Sequence, residues 1–134
     1  MIDNVTFKKA LNQLLLDSYG FKKVANVWQK QIGEYWVQIN LQKSNFSNSY
    51  YINLDITHQQ DLIMDKKGKI NSQIGRIGRI GDPSPATELD DLIDHDDAHR
   101  KLYSIFQDQF TLLEQELQKE PNWDKLKKVR IIMF

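Results

Sequence analysis

Two stretches of alternating residues constrain this chain more than anything else in it. Over residues 35–42, Tyr35, Val37, Ile39 and Leu41 fall on one side and Trp36, Gln38, Asn40 and Gln42 on the other. Over residues 50–57, Tyr50, Ile52, Leu54 and Ile56 take one side, and Tyr51, Asn53, Asp55 and Thr57 the other. A period of two belongs to the β-strand, whose successive side chains project to opposite faces. The intervening run SNFSNS is rich in turn formers. It is also far shorter than a parallel crossover, which needs about a dozen residues. The two strands are therefore expected to pair antiparallel. Each large apolar side chain gains about 1.5–3 kcal/mol on full burial, so the apolar face demands a cover. A slip of one residue would turn that whole set to water.

Two amphipathic segments supply the cover. Residues 4–19 place Phe7, Leu11, Leu14, Leu15 and Ser18 on one side at helical spacing, with Ala10 beside them. Asp3 or Asn4 is suited to cap the start, and Gly20 stands where helices end in a left-handed residue. Residues 97–119 carry Leu102, Phe106, Phe110, Leu113 and Leu117 as a stripe flanked by Ile105 and Leu112; Asp96 or Asp97 is the expected cap, and Pro121 stops the run. Residues 21–31 read as one further strand, turned at Ile32-Gly33-Glu34. Asp65-Lys66-Lys67-Gly68-Lys69 reads as a loop tip. Ile74, Ile77 and Ile80 recur every third residue among Gly75, Gly78 and Gly81, which opposes a helix and suggests a bulged fourth strand ending at Asp82-Pro83-Ser84-Pro85. Residues 87–93 fit a short edge strand or a helix start. Asn122 is a capping signal, and residues 129–134 fit a last helical turn or a strand. The expected fold is α+β in a single domain over residues 1–134: an N-terminal helix, an antiparallel β-meander of about four to five strands, and a long C-terminal helix packed on one sheet face.

Composition narrows the function. Lys plus Arg and Asp plus Glu are 18 each, so the formal net charge is zero, which argues against a general nucleic-acid binder. There is no cysteine, which removes disulfides, thiolate catalysis and cysteine zinc sites. The first residues lack an unbroken apolar core of signal-peptide length, and no segment approaches a membrane span, so the expected compartment is the cytoplasm with no membrane partner. Charge is uneven: residues 1–80 hold 11 basic and 6 acidic side chains, residues 81–134 hold 7 and 12. Residues 82–97 carry seven acids and no Lys or Arg.

Four features bear on chemistry. The polar sheet face, Trp36, Gln38, Asn40, Gln42, Tyr51, Asn53, Asp55 and Thr57, offers amides, hydroxyls and two aromatics where a plain wet face carries Lys and Glu, and it is the first candidate for binding a partner. The acids Asp90, Asp91 and Asp94 can steer a basic protein toward it. Arg76 and Arg79 are an anion-binding candidate, although the glycine-rich run around them matches neither a P-loop nor a dinucleotide fingerprint. His95 and His99 lie one helical turn apart, a spacing that can grip a metal, but the glutamate of HExxH is missing and a helix start explains the acids around them, so no metal and no cofactor is assigned. No catalytic Ser-His-Asp set is legible.

The order Gly20-Phe21-Lys22-Lys23, Trp28, Val37-Gln38-Ile39-Asn40-Leu41-Gln42-Lys43-Ser44, Tyr51-Ile52-Asn53-Leu54 and Arg76-Ile77-Gly78-Arg79 resembles an uncharacterised bacterial domain family. The likeness spans about residues 5–93 and, more loosely, the long helix. Two positions depart from the family pattern: Thr87-Glu88-Leu89-Asp90 stands where a tryptophan pair is usual, and Asp55 replaces a glycine. The resemblance implies an α+β domain with helices beside an antiparallel sheet. By analogy with small bacterial domains of this type, it points to an immunity or accessory interaction protein encoded near a toxin. The resulting reading is a non-enzymatic protein-interaction domain whose partner is a toxin domain. A small metal- or ligand-dependent enzyme and an anion- or nucleotide-sensing domain are the alternatives.

Overall fold

A computed structural model describes residues 1–61, 86–128 and 131, together with the backbone of residues 75–77. In chain order the elements are α1 (Asn4–Asp17), β1 (Lys22–Val24), β2 (Val27–Ile32), β3 (Tyr35–Lys43), β4 (Ser49–His58), β5 (Gly75–Ile77), β6 (Thr87–Glu88), α2 (His95–Leu117) and α3 (Trp123–Lys128). Single turns of 3-10 helix lie at Gln59–Asp61 and Leu89–Asp91. The strands pair antiparallel in the order β1-β2-β3-β4-β5, and β6 joins the same edge of β4 as β5, nearer the start of β4. This is the α+β arrangement that the alternating strands and the two helical stripes predict.

The β3–β4 register runs from Tyr35 opposite His58 to Lys43 opposite Tyr50. It sets Val37 against Ile56, Ile39 against Leu54 and Leu41 against Ile52. Val37, Ile39, Ile52, Leu54 and Ile56 are all buried. They share one core with Phe7, Leu11, Leu14 and Leu15 of α1 and with Leu102, Phe106, Phe110, Leu113 and Leu117 of α2. Phe7 stacks on Tyr50 with ring centroids 5.2 Å apart, and Phe110 meets Phe21 edge-on at 5.5 Å. Lys30 sets its charged end against this core. Its Nζ donates to the Tyr19 carbonyl at 2.6 Å and to Glu114 Oε1 at 2.7 Å, and it lies over the rings of Phe21 and Phe110. Burial pushes the neighbouring Tyr19 phenol up to about 12, with Tyr103 and Glu114 adding to the shift.

Several expectations are refined. The single strand over residues 21–31 is two strands, β1 and β2, folded back on each other with Val24 opposite Val27. The turn places Ala25 at φ 54°. Hairpins of this length need positive φ, and Ala-Asn lacks the glycine that would have announced it. Helix α2 starts at His95 and is capped by Asp94, whose carboxylate accepts the Asp97 N–H at 2.9 Å, so neither Asp96 nor Asp97 is the cap. Residues 87–93 realise both readings in succession, as β6 and then a 3-10 turn. Asp3 caps α1 through the Thr6 N–H at 2.7 Å, Gly20 has φ 70°, and Asn122 caps α3 through the Lys125 N–H at 3.1 Å. Part of the glycine-rich strand is present as β5. The expected loop tip at 65–69 and the choice between helix and strand for 129–134 lie outside the described residues, apart from Ile131, which is buried with its N–H on the Leu126 carbonyl at 3.0 Å.

Candidate interaction site

The polar side of β3 and β4 is a ladder of side-chain hydrogen bonds. Antiparallel register puts Gln38 opposite Asp55, Asn40 opposite Asn53 and Gln42 opposite Tyr51. On the other flank Gln29 of β2 stands opposite Gln38, and β5 places Arg76 at the register position of Asn53. Gln38 Nε2 donates to Gln29 Oε1 at 3.0 Å. Asn40 Nδ2 donates to Asp55 Oδ2 at 2.9 Å. Asn53 Nδ2 donates to Asn40 Oδ1 at 3.2 Å and to Gln42 Oε1 at 3.1 Å. Facing amides are both donors and acceptors, so neighbours in such a row bond one another and restrict one another's rotamers.

This network corrects the expectation that the whole face meets solvent. Gln38 and Asp55 are 0 % exposed and Asn53 is 4 % exposed. The physical reason is position: β3 and β4 are the central strands, with neighbours on both sides, and their amides hydrogen-bond one another across the register. Trp36, Asn40, Tyr51 and Thr57 are half-buried, and Gln42 is exposed. The face thus has a buried polar floor and an accessible rim of two aromatics and amides.

The acids of residues 88–97 divide by role. Asp94 is spent on the α2 cap. Asp97 is buried: its carboxylate accepts the Ile93 N–H at 3.0 Å and pairs with Arg100 at 2.6 Å and Lys101 at 3.2 Å. The Ile93 N–H, with both cations helping, holds the Asp97 carboxyl below its ordinary value against the opposing effect of burial. Glu116 plays the same part at the other end of α2. It accepts the Asn122 N–H at 3.0 Å and pairs with Lys119 and Lys125, and its carboxyl too is lowered. Asp90 and Asp91 are exposed, and Asp90 Oδ1 accepts from Asn48 Nδ2 at 3.0 Å.

His95 and His99 stack with ring centroids 6.3 Å apart, and His95 Nδ1 lies 3.4 Å from Asp96 Oδ1. Among the described residues no group of three or more His, Cys, Asp or Glu side chains is placed to hold a metal. Arg79 lies outside the described residues. Two residues here are not evident from the sequence pattern. Gln29 sits in a strand whose boundaries were misread. Phe46, 96 % exposed between β3 and β4, was hidden in a run recognised only as a turn; the signal was an aromatic among five Ser and Asn residues.

Among the described residues no helix is long and apolar enough to cross a membrane. No curated protein and no solved structure matches the chain. A family model described as a domain of unknown function, DUF4304, matches residues 13–128, from within α1 through the β-sheet and α2 to the end of α3. The chain, with its α1–meander–α2 order and its amide ladder, belongs to the DUF4304 family.

Proposed function

We propose that this domain is a non-enzymatic protein-interaction module of the bacterial cytoplasm, and that it serves as an immunity protein against a toxin domain. The observation that carries this reading is the self-bonded amide ladder rimmed by Trp36 and Tyr51. A surface whose polar side chains are already ordered loses little conformational entropy on binding, and aromatic rims supply contact area with few rotatable bonds. Gln38, Asn53 and Asp55 act from below by holding that rim, while Trp36, Asn40, Gln42 and Tyr51 meet the partner.

The test is capture of a stoichiometric partner from the native host by the tagged domain, repeated with Tyr51→Ala and Trp36→Ala. Each anchor lost is expected to weaken binding by about tenfold or more, with the fold intact by circular dichroism. Expression of the captured partner alone is expected to arrest growth, and co-expression of the domain to restore it. Capture of no partner would overturn the interaction reading. A partner without toxicity would overturn immunity alone. Anion sensing is a second reading favoured by one observation, the register that sets Arg76 beside Asn53. It expects phosphate to raise Tm in the wild type but not in Arg76→Gln.

A further inference from the structure

Phe46 is an exposed aromatic on a loop that is held in place. Its N–H donates to Ser44 Oγ at 3.1 Å, and the Ser44 N–H donates to the Ser49 carbonyl at 3.0 Å. The Ser47 and Ser49 hydroxyls share a hydrogen bond at 2.6 Å, and Lys43 Nζ donates to Asn48 Oδ1 at 2.7 Å. A phenylalanine left in water forgoes the stabilisation that burial gives a large apolar side chain. An ordered loop that presents one gives a partner an anchor without the cost of ordering it.

The same loop is bonded to the acidic segment. The Leu89 N–H donates to the Asn48 carbonyl at 2.9 Å. Asn48 Nδ2 donates to Asp90 Oδ1 at 3.0 Å and approaches Met1 Sδ at 3.3 Å, and Ser47 Oγ donates to Glu88 Oε1 at 3.3 Å. These donors are neutral. They orient the two carboxylates without cancelling their charge, unlike Arg100 and Lys101 at Asp97. Asp91 adds a third carboxylate, exposed like Asp90, whereas Glu88 is half-buried. Among the described residues, Lys43 Nζ sits on Asn48 Oδ1 and over the Tyr50 ring, Lys8 lies over the same ring, and Lys101 pairs with Asp97 and the Asp91 carbonyl.

We propose that Phe46, together with Glu88, Asp90 and Asp91, is a docking surface for a basic protein surface that offers an apolar socket ringed by Lys and Arg. The proposal rests on the interaction reading above and names the chemistry of the partner. Phe46 fills the socket and governs dissociation, and the carboxylates meet the surrounding cations and speed encounter.

The test uses the isotope-labelled full chain and two short synthetic peptides. One has a Leu-Trp centre flanked by Lys and Arg; the other replaces those cations with Glu. The basic peptide is expected to shift the backbone amides of residues 45–48 and 88–91, with affinity falling as ionic strength rises. The acidic peptide is expected to shift none of them. Phe46→Ser is expected to weaken the basic peptide by about tenfold, and Asp90→Asn with Asp91→Asn to flatten the salt dependence. Equal binding by Phe46→Ser, or shifts centred on Trp36 and Tyr51 instead, would overturn the docking surface while leaving the interaction reading standing. Shifts at the tip with no partner captured from the host would do the reverse.

Discussion

Asp97 keeps a charge in a buried place because a backbone N–H and two cations converge on it. Its carboxyl is lowered in the folded protein from an ordinary value of 3.8. The unfolded chain therefore takes up the proton first as pH falls. The Asp97 contribution is complete above that value and is lost as pH drops through the lower, folded one. Asp97→Asn is expected to lower the denaturation midpoint at neutral pH, with the gap from wild type closing below pH 3.8; urea melts across that range check it. Two glycines make a second comparison. Gly20 has φ 70° with open space around a would-be Cβ, so Gly20→Ala is expected to cost about 1–2 kcal/mol for the left-handed backbone alone. Gly33 has φ 57°, and a Cβ there would stand 2.6 Å from the Leu117 carbonyl oxygen. That is backbone against backbone, so Gly33→Ala is expected to cost about 1–3 kcal/mol more than Gly20→Ala, as the β2–β3 turn is forced off the end of α2. Equal melting shifts for the two variants would contradict this.

Elements divide by the kind of signal that encodes them. Helices α1 and α2 and strands β3 and β4 repeat their pattern over enough residues to be read directly from the sequence. Strand β1 did not, because a three-residue strand carries no period and its turn uses Ala25 in a conformation that alanine does not advertise. The start of α2 was misplaced because five Asp residues crowd 90–97, and composition cannot say which one faces an N–H. Energetically the two faces of β4 differ. Phe106→Ala on α2 empties part of the core beneath the sheet and is expected to cost about 3–5 kcal/mol. Asn53→Ala removes the donor shared by Asn40 and Gln42 and is expected to cost about 1–3 kcal/mol, less where the exposed Gln42 recovers a water. Guanidinium denaturation of both variants measures the difference. A null effect at Asn53 would mean that the ladder is not organised as described.

For the whole molecule, the sheet centre is the most protected part. Amides of β3 and β4 are expected to exchange with solvent only on global unfolding, while the exposed edge strand β1 exchanges early; hydrogen exchange by mass spectrometry checks the order. Sequence alone determined that the alternating segments pair antiparallel, which of their faces is apolar, and that two helical stripes cover it. Those conclusions need only local periodicity and the cost of wetting apolar surface. Whether the opposite face is wet or buried is not a local property. Gln38, Asn40 and Gln42 have the same alternating pattern and similar chemistry, yet one is buried, one half-buried and one exposed. Tertiary placement decides that: among the described residues Gln38 has Gln29 of β2 opposite it, whereas Asn40 and Gln42 lie beyond the residues that β2 pairs. The same holds for Phe46: an aromatic among Ser and Asn marks it in the sequence, but its exposure depends on what the rest of the chain leaves uncovered.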